Sequence, residues 1–199
     1  MKIIGLTGGI ASGKSTVTRT LENLGAVIID SDKLAHSIMC PYKPAWNDIV
    51  KLFGSEILNS DETINRDRLG QIVFDNHNKL KELNQITHWR IAERYKEDLR
   101  VLKKENPDAV VVMEIPLLYE THAERICDEV WVVWVDRETQ IERLMKRDNI
   151  SQEDAIKRIE AQMDLDEKAR LADIVIDNRH SIEATIETAT KNYIERIQT

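Results

Sequence analysis

Cysteine is scarce in this 199-residue chain. There are two, Cys40 and Cys127. Neither belongs to a C-x-x-C pair, and no histidine stands at zinc-ligand spacing from either, which excludes a disulfide scaffold and a structural zinc site. Buried or half-buried thiols in a reducing cytoplasm is the plain reading. Long apolar runs are also missing. None approaches the roughly 18 residues that span a bilayer, so no membrane segment is expected. The opening Met1-Lys2-Ile3-Ile4-Gly5-Leu6 imitates the start of a signal peptide, but Gly8-Gly9 and then Ser12-Gly13-Lys14 interrupt it, so a cleaved leader is not expected. Excess basic charge is absent too: the formal charge is −7 and the pI about 5.3. Duplex binding needs a phosphate-neutralising surface, so no nucleic-acid partner is expected. What remains is a soluble, globular composition with 42% apolar and 32% charged residues. The chain is long enough for a sizeable core.

Periodicity gives a coarse map. Lys2 to Thr7 reads as a short buried strand, followed by a Gly-rich turn and a helix from about Ser15 to Leu24. Val17, Leu21 and Leu24 make its apolar face, and Gly25 stands where a C-cap is expected. Ala26 to Ile29 is a second strand that ends on Asp30. From Ser31 to Asp108 the texture is charged and helical, far longer than a simple crossover. Leu80, Leu83, Ile91, Tyr95, Leu99 and Leu102 fit one stripe of a long helix there, which Pro107 follows. Ala109 to Ile115, Val130 to Val135 and Ile174 to Ile176 read as three more strands, the middle one apolar on both faces. Ile141, Leu144 and Met145 mark a helix, and Ser151 to Asp154 resembles a capping box opening another. Ile182, Ile186, Ala189, Tyr193 and Ile197 form a final amphipathic helix. Strands separated by helices predict a parallel α/β sheet with right-handed crossovers.

Gly8-Gly9-Ile10-Ala11-Ser12-Gly13-Lys14-Ser15 satisfies G-x-x-x-x-G-K-[ST], with a strand before it and a helix after it. Glycines let backbone N–H groups turn inward around phosphate oxygens, and the helix N-terminus adds positive partial charge. Lys14 can reach the β- and γ-phosphates, the Ser15 hydroxyl can ligate Mg²⁺, and Thr16 can contact the α-phosphate. A nucleoside triphosphate site follows; the motif alone does not choose between a kinase, a switch GTPase and an ATPase.

Asp30-Ser31-Asp32 leaves the second strand at the sheet edge where ligands bind in open α/β folds. Asp32 is placed to accept or align the proton of an acceptor hydroxyl. Asp30 could support Mg²⁺, and so could Glu114 as a Walker-B-like acid; a capping or strand-end charge is the plainer role for each. Pro116 stops its strand where a binding edge begins. Arg143 and Arg147 lie four apart on one helix, as do Arg158 and Gln162 on the next, and guanidinium groups delivered by a mobile lid neutralise a transferring phosphoryl group. His36, His77, His88, His122 and His180 have no metal-ligand spacing and read as surface or partly buried. Trp46, Trp89, Trp131 and Trp134 read as packing residues.

These residues, taken together, resemble the dephospho-CoA kinases. The resemblance rests on Gly5 to Val17, Ile29 to Asp32 with Ala35-His36, Ile115-Pro-Leu-Leu-Tyr-Glu120, Arg143 to Asp148, Ala161-Gln162 and Ala172 to Asn178. It runs in order over nearly the whole chain. It implies transfer of the ATP γ-phosphoryl group to the ribose 3′-hydroxyl of dephospho-CoA, the last step of coenzyme A synthesis. It implies a single phosphate-loop kinase domain, like the nucleoside monophosphate kinases, with a five-stranded parallel sheet flanked by helices. The core would be 1–34 with 109–136 and 166–199, the helical acceptor-binding insertion 35–108, and the lid 137–165. Carried over by position, the nucleotide contacts are Gly9, Ile10, Ala11, Ser12, Gly13, Lys14, Ser15 and Thr16. Asp32 and Lys14 are catalytic, Arg143 and Arg147 bind phosphate from the lid, and Ser15 ligates Mg²⁺. Three positions depart from the pattern. Ala11 stands where many members have Gly, which a small side chain tolerates at negative φ. Glu114 replaces an Asp or apolar residue, and Trp89 follows His88 where Pro is frequent. A cytoplasmic monomer or weak homo-oligomer with ATP, Mg²⁺ and dephospho-CoA is the expectation.

Two alternatives stand beside it. Another phosphate-loop kinase would act on a nucleoside, a nucleoside monophosphate or a sugar acid, but the long insertion favours a bulky acceptor. A switch GTPase would carry N/T-K-x-D, yet neither Asn78-Lys79 nor Thr190-Lys191 has Asp two positions on.

Overall fold

The computed structural model describes residues 1–74 and 76–197. In chain order its elements are β1 (Lys2–Gly8), α1 (Lys14–Asn23), β2 (Val27–Asp30), α2 (Ser31–Ile38), α3 (Pro44–Phe53), α4 (Arg66–Phe74), α5 (His77–Glu105), β3 (Val110–Glu114), β4 (Glu129–Trp134), α6 (Arg137–Asp148), α7 (Gln152–Glu160), α8 (Leu165–Leu171), β5 (Ile174–Asp177) and α9 (Ile182–Ile197). Two compact units result: Met1–Asp30 with Asn106–Thr199, and Ser31–Glu105. The second unit starts at Ser31 rather than 35 because α2 follows β2 without a linker. It ends at Glu105 rather than 108 because Pro107 stops α5 and its carbonyl accepts from the terminal amine of Met1.

The first unit is built on a five-stranded sheet of order β2-β3-β1-β4-β5, parallel throughout, as expected. Val111, Val112, Met113, Val130, Trp131, Val132 and Val133 are buried, which follows from strands covered on both faces. Ile4, Leu6, Val17 and Leu21 meet Trp131, Ile176, Ala189 and Tyr193 in the main core. Leu24 does not join that face. It caps α1, with Gly25 just beyond at positive φ, and Ala26 is the next residue inside. The buried face of α9 is Thr185, Ala189 and Tyr193, whereas Ile182, Ile186 and Ile197 are exposed. That face is covered by α1 and by the main core.

The second unit has its own core of Ile49, Phe53, Ile57, Leu69 and Val73, against which Leu83 and Ile86 of α5 pack. Tyr95 is buried, but Leu80 at the start of the predicted stripe is exposed. The four tryptophans divide. Trp46 and Trp131 are buried. Trp134 is half-buried, donates from Nε1 to Asp166 at 2.6 Å and carries the Arg179 guanidinium over its ring. Trp89 is 55% exposed, so it is not a packing residue. His36, His88, His122 and His180 are exposed; the side chain of His77 lies outside the described residues. Ser151 caps α7, its Oγ accepting from the Asp154 N–H. The reciprocal half of a capping box is not made: the Asp154 carboxylate accepts from the Ser151 hydroxyl instead, one methylene short of a Glu's reach. Both thiols are free and half-buried. Burial first, then Asp128 and Glu124, pushes the Cys127 thiol up to about 12, so it stays protonated and inert at neutral pH.

Candidate active site

The loop from Gly8 to Ser15 joins β1 to α1 at the carboxyl edge of the sheet, beside the point where strand order reverses. Three residues in it have positive φ, Gly8, Ala11 and Gly13. Gly13 has φ +92, and a Cβ there would overlap Asn178 Nδ2. Ala11 has φ +60, not the negative φ expected of it. Ile10 and Ala11 pack against Leu144, Ala155 and Ile159 of α6 and α7, and that packing holds the left-handed turn. Strain of ~1–2 kcal/mol at a left-handed alanine opposes at most ~0.8 kcal/mol from its methyl burial. Ala11→Gly is therefore expected to leave stability within about 1 kcal/mol of the parent, checked by urea unfolding. A loss of more than about 2 kcal/mol would show that the methyl packing, not the backbone, dominates.

Side chains distant in sequence brace the loop from outside. Gln162 Oε1 accepts from the Ile10 N–H, and Gln140 Nε2 donates to the Ile10 carbonyl, both at 2.8 Å. Asn178 Nδ2 donates to the Ser12 carbonyl at 2.7 Å, and Thr185 fixes that amide by donating to its Oδ1 at 2.7 Å. Arg143 Nη2 donates to the Asn178 carbonyl at 2.9 Å, which brings its guanidinium to Gly13. Lys14 Nζ donates to the carbonyls of Gly8 and Gly9 at 3.2 and 3.1 Å, so its ammonium curls over the loop. Held this way, the loop presents backbone N–H groups and the start of α1 without needing to reorganise.

The expected arginine pair is split. Arg143 stands at the loop, whereas Arg147 grips Asp148 through Nε and Nη2 at 2.7 and 3.1 Å, with Arg158 on the same carboxylate at 2.9 Å. Hydrogen bonds from Arg147, aided by Arg158, hold the Asp148 carboxyl below the usual range. Asp30 and Glu114 are register partners at the ends of β2 and β3. Glu114 accepts from the Thr18 hydroxyl at 2.6 Å, one turn along α1 from the exposed Ser15. Among the described residues no cluster of three His, Cys, Asp or Glu could hold a metal by itself. The hydroxyl and carboxylate oxygens do fit Mg²⁺, which takes hard oxygen ligands and fills its shell with water and phosphate.

Gln140, Thr185 and Lys168 carried no signal in the sequence; each looks like an ordinary helix residue. Lys168 is fully buried, and its Nζ donates at 2.8 Å to the Pro116 carbonyl and to Glu120 Oε1. Thr7, next to the loop, donates to the same Pro116 carbonyl at 3.1 Å. Glu120 also accepts from the Met163 N–H. Glu120→Gln would leave a buried ammonium underpaired. It is expected to cost about 2–3 kcal/mol in urea unfolding, somewhat below fully buried pairs because Glu120 keeps partial exposure.

In the second unit, Asp32 lies in the first turn of α2, exposed, and lines a cavity of about 370 Å³. The walls are mostly apolar, with Met39, Leu69, Val73 and Ile91 among them. Arg66 and His36 also line it, with Arg66 Nη2 3.0 Å from His36 Nδ1; a neutral imidazole accepting there aims the guanidinium.

A parallel sheet of this order, with a G-x-x-x-x-G-K-S loop between β1 and α1 and an arginine bonded beside it, defines a phosphate-loop kinase, a transferase that uses ATP. The family model described as dephospho-CoA kinase matches residues 2–184. A dephospho-CoA kinase of Carboxydothermus hydrogenoformans is 48% identical over 187 residues, covering 94% of this chain and 90% of that protein. One of Geobacter metallireducens is 48% identical over 198 residues, covering 100% and 98%. The solved dephospho-CoA kinase from Campylobacter jejuni superposes with a TM-score of 0.76 at 33% identity, covering 100% and 98%. The chain belongs to the dephospho-CoA kinase family.

Proposed function

We propose that this chain transfers the γ-phosphoryl group of ATP to the ribose 3′-hydroxyl of dephospho-CoA, releasing coenzyme A and ADP, the last step of coenzyme A biosynthesis. The observation that carries it is the cavity of the second unit, with Asp32 on its wall two residues beyond the end of β2. One wall carboxylate for a hydroxyl, apolar sides for an adenine and an aimed Arg66 for a diphosphate match the parts of that acceptor.

The residue roles are as follows. Gly9 to Thr16 cradle the triphosphate, Ile10 keeping its N–H on Gln162, with Lys14 on the β- and γ-phosphates. Arg143, and Arg147 once released from Asp148, neutralise charge that develops on the transferring group. Asp32 aligns the acceptor hydroxyl and takes its proton late, since the transition state is loose and asks mainly for positioning. Ser15 would hold Mg²⁺, with Asp30 or Glu114 behind it. The ion would supply charge neutralisation between the phosphates. Residues 137–165 act as the lid and the helical insertion receives the acceptor. No helix among the described residues is long and apolar enough to cross a membrane. We place the activity in the cytoplasm, in a monomer or weak homo-oligomer.

The test is ADP release with Mg-ATP and, in turn, dephospho-CoA, adenosine, AMP or no acceptor. Turnover that requires dephospho-CoA is expected. Turnover with a different acceptor would keep the kinase and overturn this substrate.

A further inference from the structure

We propose that Gln162 is a positioning residue for phosphoryl transfer, acting on Lys14 through the polarity of the Gly9–Ile10 peptide. The inference rests on the nucleotide reading of the loop and adds a residue to it. In a trans peptide the carbonyl and the N–H point opposite ways, so a bond at one end sets the direction of the other. The Ile10 N–H donates to Gln162 Oε1 at 2.8 Å. The Gly9 carbonyl of the same peptide is thereby turned away from the glutamine, where it accepts from the Ser12 N–H at 3.2 Å and from Lys14 Nζ at 3.1 Å. The next peptide has the reverse polarity. Its Ile10 carbonyl accepts from Gln140 Nε2 at 2.8 Å, which turns the Ala11 N–H away. Both glutamines line one small cavity beside the loop, so the two peptides are set from the same side.

The place of Gln162 is itself fixed by distant segments. It stands two residues beyond α7, and its N–H donates to the Ile159 carbonyl at 3.1 Å. The next N–H, of Met163, donates to Glu120 at 2.9 Å, and Glu120 is held in turn by the buried Lys168. Gln140 is 3% exposed, and a Cβ on Gly9 would overlap its Nε2, which reserves that position for glycine. The same glycine leaves the Gly9–Ile10 peptide easy to turn over once its N–H loses a partner. A turned peptide withdraws the Gly9 carbonyl from Lys14, and the ammonium loses one of the two carbonyls that hold it over the loop. Lys14 must then be ordered as the phosphates bind, which costs affinity that a preset side chain keeps.

A double-mutant cycle on the full chain tests this, read first as the Kd for Mg-ATP by calorimetric titration without an acceptor, and then as kcat/KM for ATP. Gln162→Met keeps the length of the side chain and removes the strong acceptor. It is expected to weaken Mg-ATP binding about 5–20-fold in the parent and less than about twofold in a Lys14→Ala background, because the group it positions is then gone. Gln140→Met supplies the contrast. Its loss should persist in the Lys14→Ala background, since it holds the other peptide. Losses from Gln162→Met and Lys14→Ala that simply multiply, or no loss from Gln162→Met, would overturn the role. So would the disappearance of both glutamine effects in Lys14→Ala, which would show the loop collapsing as a unit. Urea unfolding checks the fold of each variant, and Gln162→Asn, one methylene short of Ile10, takes the place of the Met variant in the cycle if that one does not fold. Because binding is read without an acceptor, a failed dephospho-CoA assay leaves this result standing, whereas a parent that does not bind Mg-ATP defeats the phosphate-loop reading and this inference together.

Discussion

Asp32→Asn is expected to lower kcat with dephospho-CoA by roughly 10²–10⁴, the span for losing a positioned general base. Asparagine keeps the size of the side chain and an oxygen that can accept a hydrogen bond. It removes the negative charge and the capacity to take the proton. Because the reaction asks mainly for alignment, a loss at the low end would mean that Asp32 chiefly orients the hydroxyl, and a loss at the high end that proton transfer limits the step. KM for ATP should barely move, since the phosphate loop is made by β1 and α1 and braced from α6, α9 and the turn after β5. Stability should hold as well, because Asp32 is exposed in the first turn of α2. Initial rates over an acceptor and ATP matrix measure all three quantities. A variant with near-parental kcat would remove Asp32 from the catalytic assignment.

Lys14→Ala is expected to reduce kcat/KM for ATP by about 10²–10³, the cost of removing one preorganised donor from the transferring charge. The ammonium that now rests on the Gly8 and Gly9 carbonyls is the group that would exchange those weak acceptors for phosphate oxygens. The loop itself should survive the change, because Asn178, Gln140 and Gln162 hold it from outside. Both kcat and nucleotide affinity should fall together, unlike the pattern for Asp32→Asn. An unchanged kcat/KM for ATP would defeat the phosphate-loop reading.

The phosphate loop was legible because its chemistry is local. Eight consecutive residues between a strand and a helix state what they bind, and the order of elements around them follows from periods of two and 3.6. Asp32 could be singled out for a similar reason, standing two residues beyond a strand end, and Arg143 by its spacing of four from Arg147 on the helix that follows β4. The bracing was not legible. Asn178 meets Ser12 across 166 positions and Gln140 meets Ile10 across 130, and no local pattern ties either pair together. The same limit explains the misjudged residues. Helical spacing puts Ile182 and Ile186 in line with Ala189, yet packing on α1 and the main core buries Thr185, Ala189 and Tyr193 and leaves those isoleucines outside.

The amino-acid sequence by itself determined the class of fold, the nucleotide loop and the acids that end its strands, because each depends on neighbours along the chain. Only the tertiary structure decided that Ala11 is held left-handed by packing from α6 and α7, that Arg147 is taken up by Asp148 while Arg143 reaches the loop, and that Trp89 faces outward on a guanidinium shelf. In each case a local preference competes with contacts from distant segments, and burial and hydrogen bonding between those segments outweigh it.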